Sequence, residues 1–214
     1  MALDLSQPPL SPIRLAVCAS GGGTTLQNLV DRIDAGRLAA EVVQVIASRP
    51  DIGAVARAEA AGLPVAVEPR RGRSVAAHSA AIFDRVRAAG ADLVVLGGFL
   101  SLLQVPGDFR GRVLNVHPSL IPAFSGKGFH GRHVHEAAIA WGVKLSGCTV
   151  HFVDDTYDTG PIIFQVPVPV LATDTPEALA ARVFEAECEA LPGAIALFAA
   201  GKLRIEGRRV VILP

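Results

Sequence analysis

Asn115 and His117 are the residues whose types and spacing most directly offer chemistry. They stand two apart at the end of an apolar run, Leu114-Asn115-Val116-His117, and the proline-bounded turn Pro118-Ser119-Leu120-Ile121-Pro122 follows at once. Side chains alternate faces along a strand, so the amide and the imidazole leave on the same face. The amide NH2 donates hydrogen bonds, and the imidazole donates one or carries a proton near neutral pH. Two donors aimed at one point suit an oxygen that becomes negative during acyl transfer. A satisfied amide and a surface histidine at a strand end would have the same sequence, so the segment needs support from elsewhere in the chain.

Gly21-Gly22-Gly23-Thr24-Thr25 lies between a first apolar run and a first helical pattern. Glycines there allow close backbone approach, and the unpaired N–H groups of a helix start can receive an anion. A phosphate or phosphoribosyl group is the obvious candidate. A dinucleotide is a second reading, with Ser48-Arg49 placed to meet a 2′-phosphate, although Leu26 occupies the third glycine position of G-x-G-x-x-G and no P-loop Lys follows. A purely structural turn is the third. Farther on, His151-Phe152-Val153-Asp154-Asp155-Thr156-Tyr157-Asp158-Thr159-Gly160-Pro161 puts three carboxylates between two apolar strands. One of them can orient and charge a histidine, though Asp, Thr, Gly and Pro are also ordinary turn formers. The cluster lacks the ligand spacing of a calcium loop.

No metal is expected elsewhere. His130, His133 and His135 lack the i, i+4 spacing that puts two ligands on one helix face, and no cysteine lies near them. They read as a solvated helix start, with His130 and Lys127 able to line the site through a glycine-rich loop. Cys18, Cys148 and Cys188 are widely separated, which suits reduced thiols in a cytoplasmic protein. Formal net charge is zero with basic residues dispersed, so neither nucleic acid nor an anionic membrane is an expected partner. No stretch reaches the roughly 20 apolar residues of a membrane helix. The segment from Met1 to Pro12 reads as an irregular tail without the basic and apolar regions of a signal peptide.

With 214 residues, 50% of them hydrophobic, the chain can bury one sizeable core, and a single domain over 13–214 is expected. Ile13–Ala19 reads as a strand, followed by a helix whose Leu26, Leu29, Val30 and Ile33 recur at helical spacing. The alternation continues with strands at Val42–Ala47, Pro64–Val67 and Leu93–Leu96, and with helices at Gly53–Ala61 and Ala76–Ala89. This is an α/β pattern: a doubly wound, mostly parallel sheet with helices on both faces. After Val113–Val116 come a loop, Phe124–Gly131, and a helix near His133–Trp141. The strands Leu145–Val153 and Ile162–Val170 are joined by a turn too short for a helical crossover, so they should pair antiparallel. A final helix, Pro176–Ala199, opens on Thr175 as cap and Pro176 in the first turn, and Gly201 closes it.

Four motifs in order resemble the phosphoribosylglycinamide formyltransferase family: Ser20-Gly21-Gly22-Gly23-Thr24-Thr25-Leu26-Gln27, Leu96-Gly97-Gly98-Phe99-Leu100, Leu114 through Pro122, and Asp158-Thr159-Gly160-Pro161-Ile162-Ile163. The resemblance runs from about Ile13 to Ile205. It implies the formyltransferase fold and transfer of the formyl group of 10-formyltetrahydrofolate, a co-substrate, to the amine of 5-phosphoribosylglycinamide in purine biosynthesis. By the same resemblance Gly23, Thr24 and Thr25 hold the ribonucleotide phosphate, and Glu187 falls where the family places a carboxylate near the ribose. Leu100, Ser101, Leu102 and Leu103 line the folate pocket, Asn115 and His117 act on the formyl carbonyl, and Asp158 pairs with His117. Arg73 is the nearest match to an arginine that touches the folate tail, with Arg70 and Arg71 adjacent. The implied partners are these two small molecules, and a homodimer is compatible with the family.

The chain departs from the family at Thr25, often Asn, and at Ser101, which is Arg in some members; its loop around Gly126 to Arg132 is longer. Ser119 is expected to be structural, because the reaction needs no covalent nucleophile. Two alternatives remain: a formyltetrahydrofolate hydrolase, usually distinguished by an extra N-terminal regulatory domain, and a non-catalytic NADP-binding Rossmann-type protein. The latter leaves Asn115, His117 and Asp158 without a joint role.

Overall fold

The computed structural model describes residues 11–214, so the expected tail lies almost wholly outside the described residues. Among the described residues nine strands form one sheet in the order β3-β2-β1-β4-β5-β6-β7-β9-β8. Its first half is β1 (Ile13–Ala19), β2 (Ala40–Ala47), β3 (Val65–Val67), β4 (Leu93–Leu96) and β5 (Val113–His117), all paired in parallel. The crossovers carry α1 (Thr24–Asp34), α2 (Gly53–Ala60) and α3 (Val75–Ala88). Central strands of such a sheet are covered on both faces, which explains why IRLAVCA and LVVL are almost continuously apolar. β1 divides its side chains between two cores. Leu15 and Val17 enter one cluster, and Ala16 and Cys18 enter another on the opposite face.

α4 (Arg132–Trp141) then leads into β6 (Leu145–Phe152) and β7 (Ile162–Pro169). β5, β6 and β7 pair antiparallel, as the short 154–161 turn requires. Gly160 is obligatory in that turn, since a Cβ there would stand 1.8 Å from the Phe152 carbonyl oxygen. α5 (Pro176–Ala199) starts where its capping residues place it, with Thr175 Oγ1 accepting from the Ala178 N–H at 3.2 Å. Beyond Gly201, where helical periodicity marks no element, the structure adds a hairpin of β8 (Leu203–Glu206) and β9 (Arg209–Ile212). Its strands are only four residues long and mostly exposed, so alternation there is too brief to separate from a polar tail.

The chain winds from β1 toward β3 on one side and from β4 toward β5 on the other. The C-terminal strand ends beside this reversal are where open α/β sheets bind ligands. They are the ends of β1, β4 and β5, which carry the glycine loop, Gly97–Leu100 and His117. Among the described residues no helix is long and apolar enough to cross a membrane.

Candidate active site

A cavity of about 920 Å³ opens at those strand ends, at the upper end of the range for small-molecule sites. Gly21–Thr25 form one wall, Asn115, His117 and Asp158 another, and Phe184 and Glu187 of α5 close a third. The loop before α4 contributes Lys127, His130 and Arg132.

Gly23 caps α1 with φ +76°, a conformation that favours glycine, and a Cβ there would stand 2.6 Å from Ala54 Cα. Gly21 and Gly22 differ, since a Cβ on either meets nothing within 4 Å and neither has a left-handed φ. Nothing in the fold accounts for their lack of side chains. Among the described residues no hydrogen bond engages the N–H groups of Gly22, Gly23, Thr24 or Thr25. Together they form an uncommitted row of donors at a helix start.

The second wall is fully committed. Asn115 and His117 project from β5 on the face of Val113, as the alternation requires. His117 is 4% exposed, and its Nε2 lies 2.9 Å from the Phe124 carbonyl, so Nε2–H donates there and Nδ1 faces Asp158 Oδ2 at 3.6 Å. Burial lowers the imidazole pKa below its ordinary value, while the Asp158 charge and the Phe124 bond oppose that shift. At Asp158 burial acts to raise the carboxyl. The neighbouring His151 and His117 imidazoles and the Gly126 N–H at 2.9 Å outweigh it and hold the carboxyl below the usual range. Asp158 itself sits at φ 56°, within the turn that ends at Gly160.

His151 is a site residue that motif reading missed. It pairs across the ladder with Asn115, and its Nδ1 lies 2.7 Å from the Phe152 carbonyl. Nδ1–H therefore donates to that oxygen, leaving Nε2 to accept from Asn115 Nδ2 at 3.1 Å. The second amide hydrogen faces Asp158 Oδ1 at 3.4 Å. Only the β5/β6 register brings His151 here, and the register was not legible from either strand alone. His135 corrects the expectation of a solvated helix start. His133 is exposed beside Glu136, but His135 is buried at 4% exposure on the cavity wall, its pKa lowered by burial and then by His117. Its burial follows from sharing the inward face of α4 with Val134 and Ala138.

The other predicted residues divide. Thr24, Thr25, Glu187 and Leu100 line the cavity. Ser101, Leu102 and Leu103 do not; Leu103 is 1% exposed and packs in the core cluster that contains Phe83 and Phe109. Arg73 is also away from the cavity. With Arg85 it pairs to the buried Glu68, Arg73 at 2.6 Å and Arg85 at 2.7 Å, and an ion pair that neutralises a buried carboxylate is costly to break. Burial pushes Glu187 up to about 8.

A family model described as formyl transferase matches residues 13–195. The phosphoribosylglycinamide formyltransferase of Mycobacterium tuberculosis is 41% identical over 210 residues, covering 97% of this chain and 95% of its own. The chloroplastic phosphoribosylglycinamide formyltransferase of Arabidopsis thaliana is 40% identical over 81% of this chain, which spans only 61% of that protein. Among solved structures, glycinamide ribonucleotide transformylase 1 from Symbiobacterium toebii is 44% identical, covers 95% of each chain and superposes with a TM-score of 0.88. Nearly end-to-end likeness in sequence and in backbone leaves one reading of descent: the chain belongs to the formyl transferase family, within its phosphoribosylglycinamide formyltransferase branch.

Proposed function

We infer that this protein transfers the formyl group of 10-formyltetrahydrofolate to the amine of 5-phosphoribosylglycinamide, a step of purine biosynthesis carried out in the cytoplasm on two small molecules. The observation that carries this reading is the sharing of one cavity by an uncommitted row of backbone N–H groups and a committed side-chain network. The first suits a phosphate. Gly21 and Gly22, bare without structural need, let it come close to the backbone. Glu187 and Leu100 line the same cavity, which supports a ribose hydroxyl at the first and the pterin edge at the second. Leu103 packs its side chain in the core and Arg73 pairs with Glu68, so a folate contact at either would come from the backbone or need a changed side-chain position.

In the reaction the amine nitrogen bonds to the formyl carbon, the bond from that carbon to N10 breaks, and the amine proton ends on N10. Meanwhile the formyl oxygen gains negative charge. Asn115 NH2 and His117 stabilise that oxygen by exchanging partners. Their hydrogens are held by Asp158, His151 and the Phe124 carbonyl, and a neutral formyl oxygen competes poorly with these acceptors. An oxyanion competes well, since charge-assisted hydrogen bonds are roughly twice as strong as neutral ones. The exchange therefore favours the transition state over the ground state, which is what lowers a barrier. Asp158 holds His117 Nδ1 ready to take a proton, and His151 fixes the orientation of Asn115.

The test is release of tetrahydrofolate from 10-formyltetrahydrofolate with and without the ribonucleotide. Release that depends on the ribonucleotide supports transfer. Equal release in both supports hydrolysis and overturns the proposal. Tight binding of NADPH with no turnover of either substrate would favour the dinucleotide reading instead.

A further inference from the structure

We propose that Arg57 is a positioning residue of the anion cradle: from α2 it holds the Gly22 carbonyl out of the cavity, so that the loop meets a phosphate with N–H groups alone. This rests on the reading of Gly21–Thr25 as the phosphate site. A trans peptide points its C=O and N–H in opposite directions, so whatever anchors one carbonyl aims the next residue's N–H. Three consecutive carbonyls of the loop are anchored outside the cavity. Gly21 O accepts from the Ala54 N–H at 3.1 Å, Gly22 O from Arg57 Nε at 2.9 Å, and Gly23 O from the Gln27 N–H at 2.9 Å. The first anchor aims the N–H of Gly22, the second that of Gly23 and the third that of Thr24.

Two of these anchors are backbone groups; only the one from Arg57 is a side chain. It also has the most to restrain, because Gly22 is exposed, nothing lies within 4 Å of where its side chain would be, and glycine has the widest choice of backbone conformations. A rotated peptide would turn a carbonyl oxygen toward a phosphate dianion. The guanidinium is itself oriented from α1, with NH1 donating to Gln27 Oε1 at 3.2 Å and Gln27 Nε2 donating to Asp31 Oδ1 at 2.8 Å. α2 approaches so closely that a Cβ on Gly53 would stand 2.8 Å from Gly22 O. Arg57 is not on the cavity wall, so it acts through the loop and not on the ligand.

The test is steady-state kinetics of Arg57→Met and Arg57→Lys with the ribonucleotide and with glycinamide riboside, its dephosphorylated form. Arg57→Met should raise KM for the ribonucleotide about tenfold, in line with losing a hydrogen bond from a charged donor, while kcat and KM for 10-formyltetrahydrofolate stay within about twofold. Lysine can still donate to Gly22 O and should recover part of the loss. Arg57→Met should use the riboside as the wild type does. An equal loss on riboside and ribonucleotide, or a parallel rise in KM for folate, would show general damage and overturn the proposal. A wild type that uses both glycinamides equally well would defeat the phosphate reading itself, a separate and recognisable result. If Arg57→Met fails to fold, Gln27→Met removes the orienting partner of the guanidinium without touching the loop. It should raise the ribonucleotide KM in the same direction by less, and an unchanged KM in Gln27→Met would overturn the role of Arg57.

Discussion

At the ends of β1 and β5 one sheet presents two ligand-facing walls built from different material. At β1 the donors are the backbone N–H groups of Gly22, Gly23, Thr24 and Thr25, held by carbonyl anchors in α1 and α2 and free toward the cavity. At β5 the donors are the side chains of Asn115 and His117, each already bonded within the protein. A wall of backbone donors is indifferent to most side-chain changes and sensitive to shape. A wall of buried, hydrogen-bonded side chains is sensitive to the loss of one proton or charge. The division suits the two tasks of the proposed reaction: a phosphate is equally charged throughout, whereas the formyl oxygen acquires its charge only on the way to the transition state.

The largest effects should therefore come from the β5 wall. His117→Ala and Asn115→Ala are each expected to lower turnover on the order of 10²–10³, the range for loss of an oxyanion donor. His117 is buried, so its removal also leaves the Phe124 carbonyl short of a donor, at a cost of about 1–3 kcal/mol. Circular dichroism and thermal melting will separate that cost from catalysis. Turnover near wild type in both variants would remove the side-chain wall from the mechanism.

Asp158→Asn comes next, with turnover expected to fall on the order of 10² and ribonucleotide affinity little changed. The Asp158 charge opposes the downward pull of burial on His117, so neutralising it should lower the His117 pKa further. Asp154 and Asp155 face elsewhere: Asp154 accepts from Thr159 Oγ1, and Asp155 from the Val105 N–H. Their Asn variants should leave the His117 titration where it is. Imidazole NMR across the three variants decides between them, and a His117 pKa that does not move in Asp158→Asn would sever the pair.

The β1 wall is tested by shape. Gly22→Ala has room for its methyl and no backbone strain, so it should melt like the wild type and yet bind the ribonucleotide more weakly than it binds folate. Gly23→Val should lose both stability and ribonucleotide binding, because it meets Ala54 and strains a left-handed φ, each effect of about 1–3 kcal/mol. Two isotherms and two melting curves compare them. A Gly22→Ala protein with unchanged ribonucleotide affinity would mean that the bare backbone is not where the phosphate sits.

The two walls also differed in how far the sequence disclosed them. The β1 wall is a local motif, and strand, glycines and helix pattern were legible within about twenty residues of one another. Asn115 and His117 were legible for the same reason, as neighbours on one face of one strand. His151 was not, since its place beside Asn115 depends on the antiparallel register between β5 and β6, set by contacts far apart in the chain. His135 was misread because a helix start rich in histidine looks solvated until the phase of α4 against the cavity is known. Ser101 to Leu103 show the converse. Leucines after a glycine pair suited a pocket, but the chain after Leu100 turns Leu103 into the core.

Glu187 lines the cavity from the middle of α5, and it offers the smallest effect and the finest discrimination. Burial pushes its carboxyl up to about 8, against an ordinary value of 4.5. Between those two pH values the folded protein holds a proton that the unfolded chain has released, so stability from this group is complete below the lower value and is lost as pH rises through the upper one. Burial lowers His117 and His135 instead, and their contribution runs the other way, being present above about 6.5 and lost as pH falls. Glu187→Gln keeps the neutral form at every pH and should flatten the alkaline decline without touching the acidic one. Water in the open cavity screens the charge, so the gain at pH 8 should be on the order of 1 kcal/mol, or about 2–4 °C in Tm for a chain of this size. The ribonucleotide should oppose that gain, because a ribose hydroxyl donating to the carboxylate favours its charged form, so binding to the wild type near pH 7 should release a proton that binding to Glu187→Gln does not. Calorimetry in buffers of different ionisation enthalpy reads that proton directly, and equal proton release from both proteins would place the ribose elsewhere.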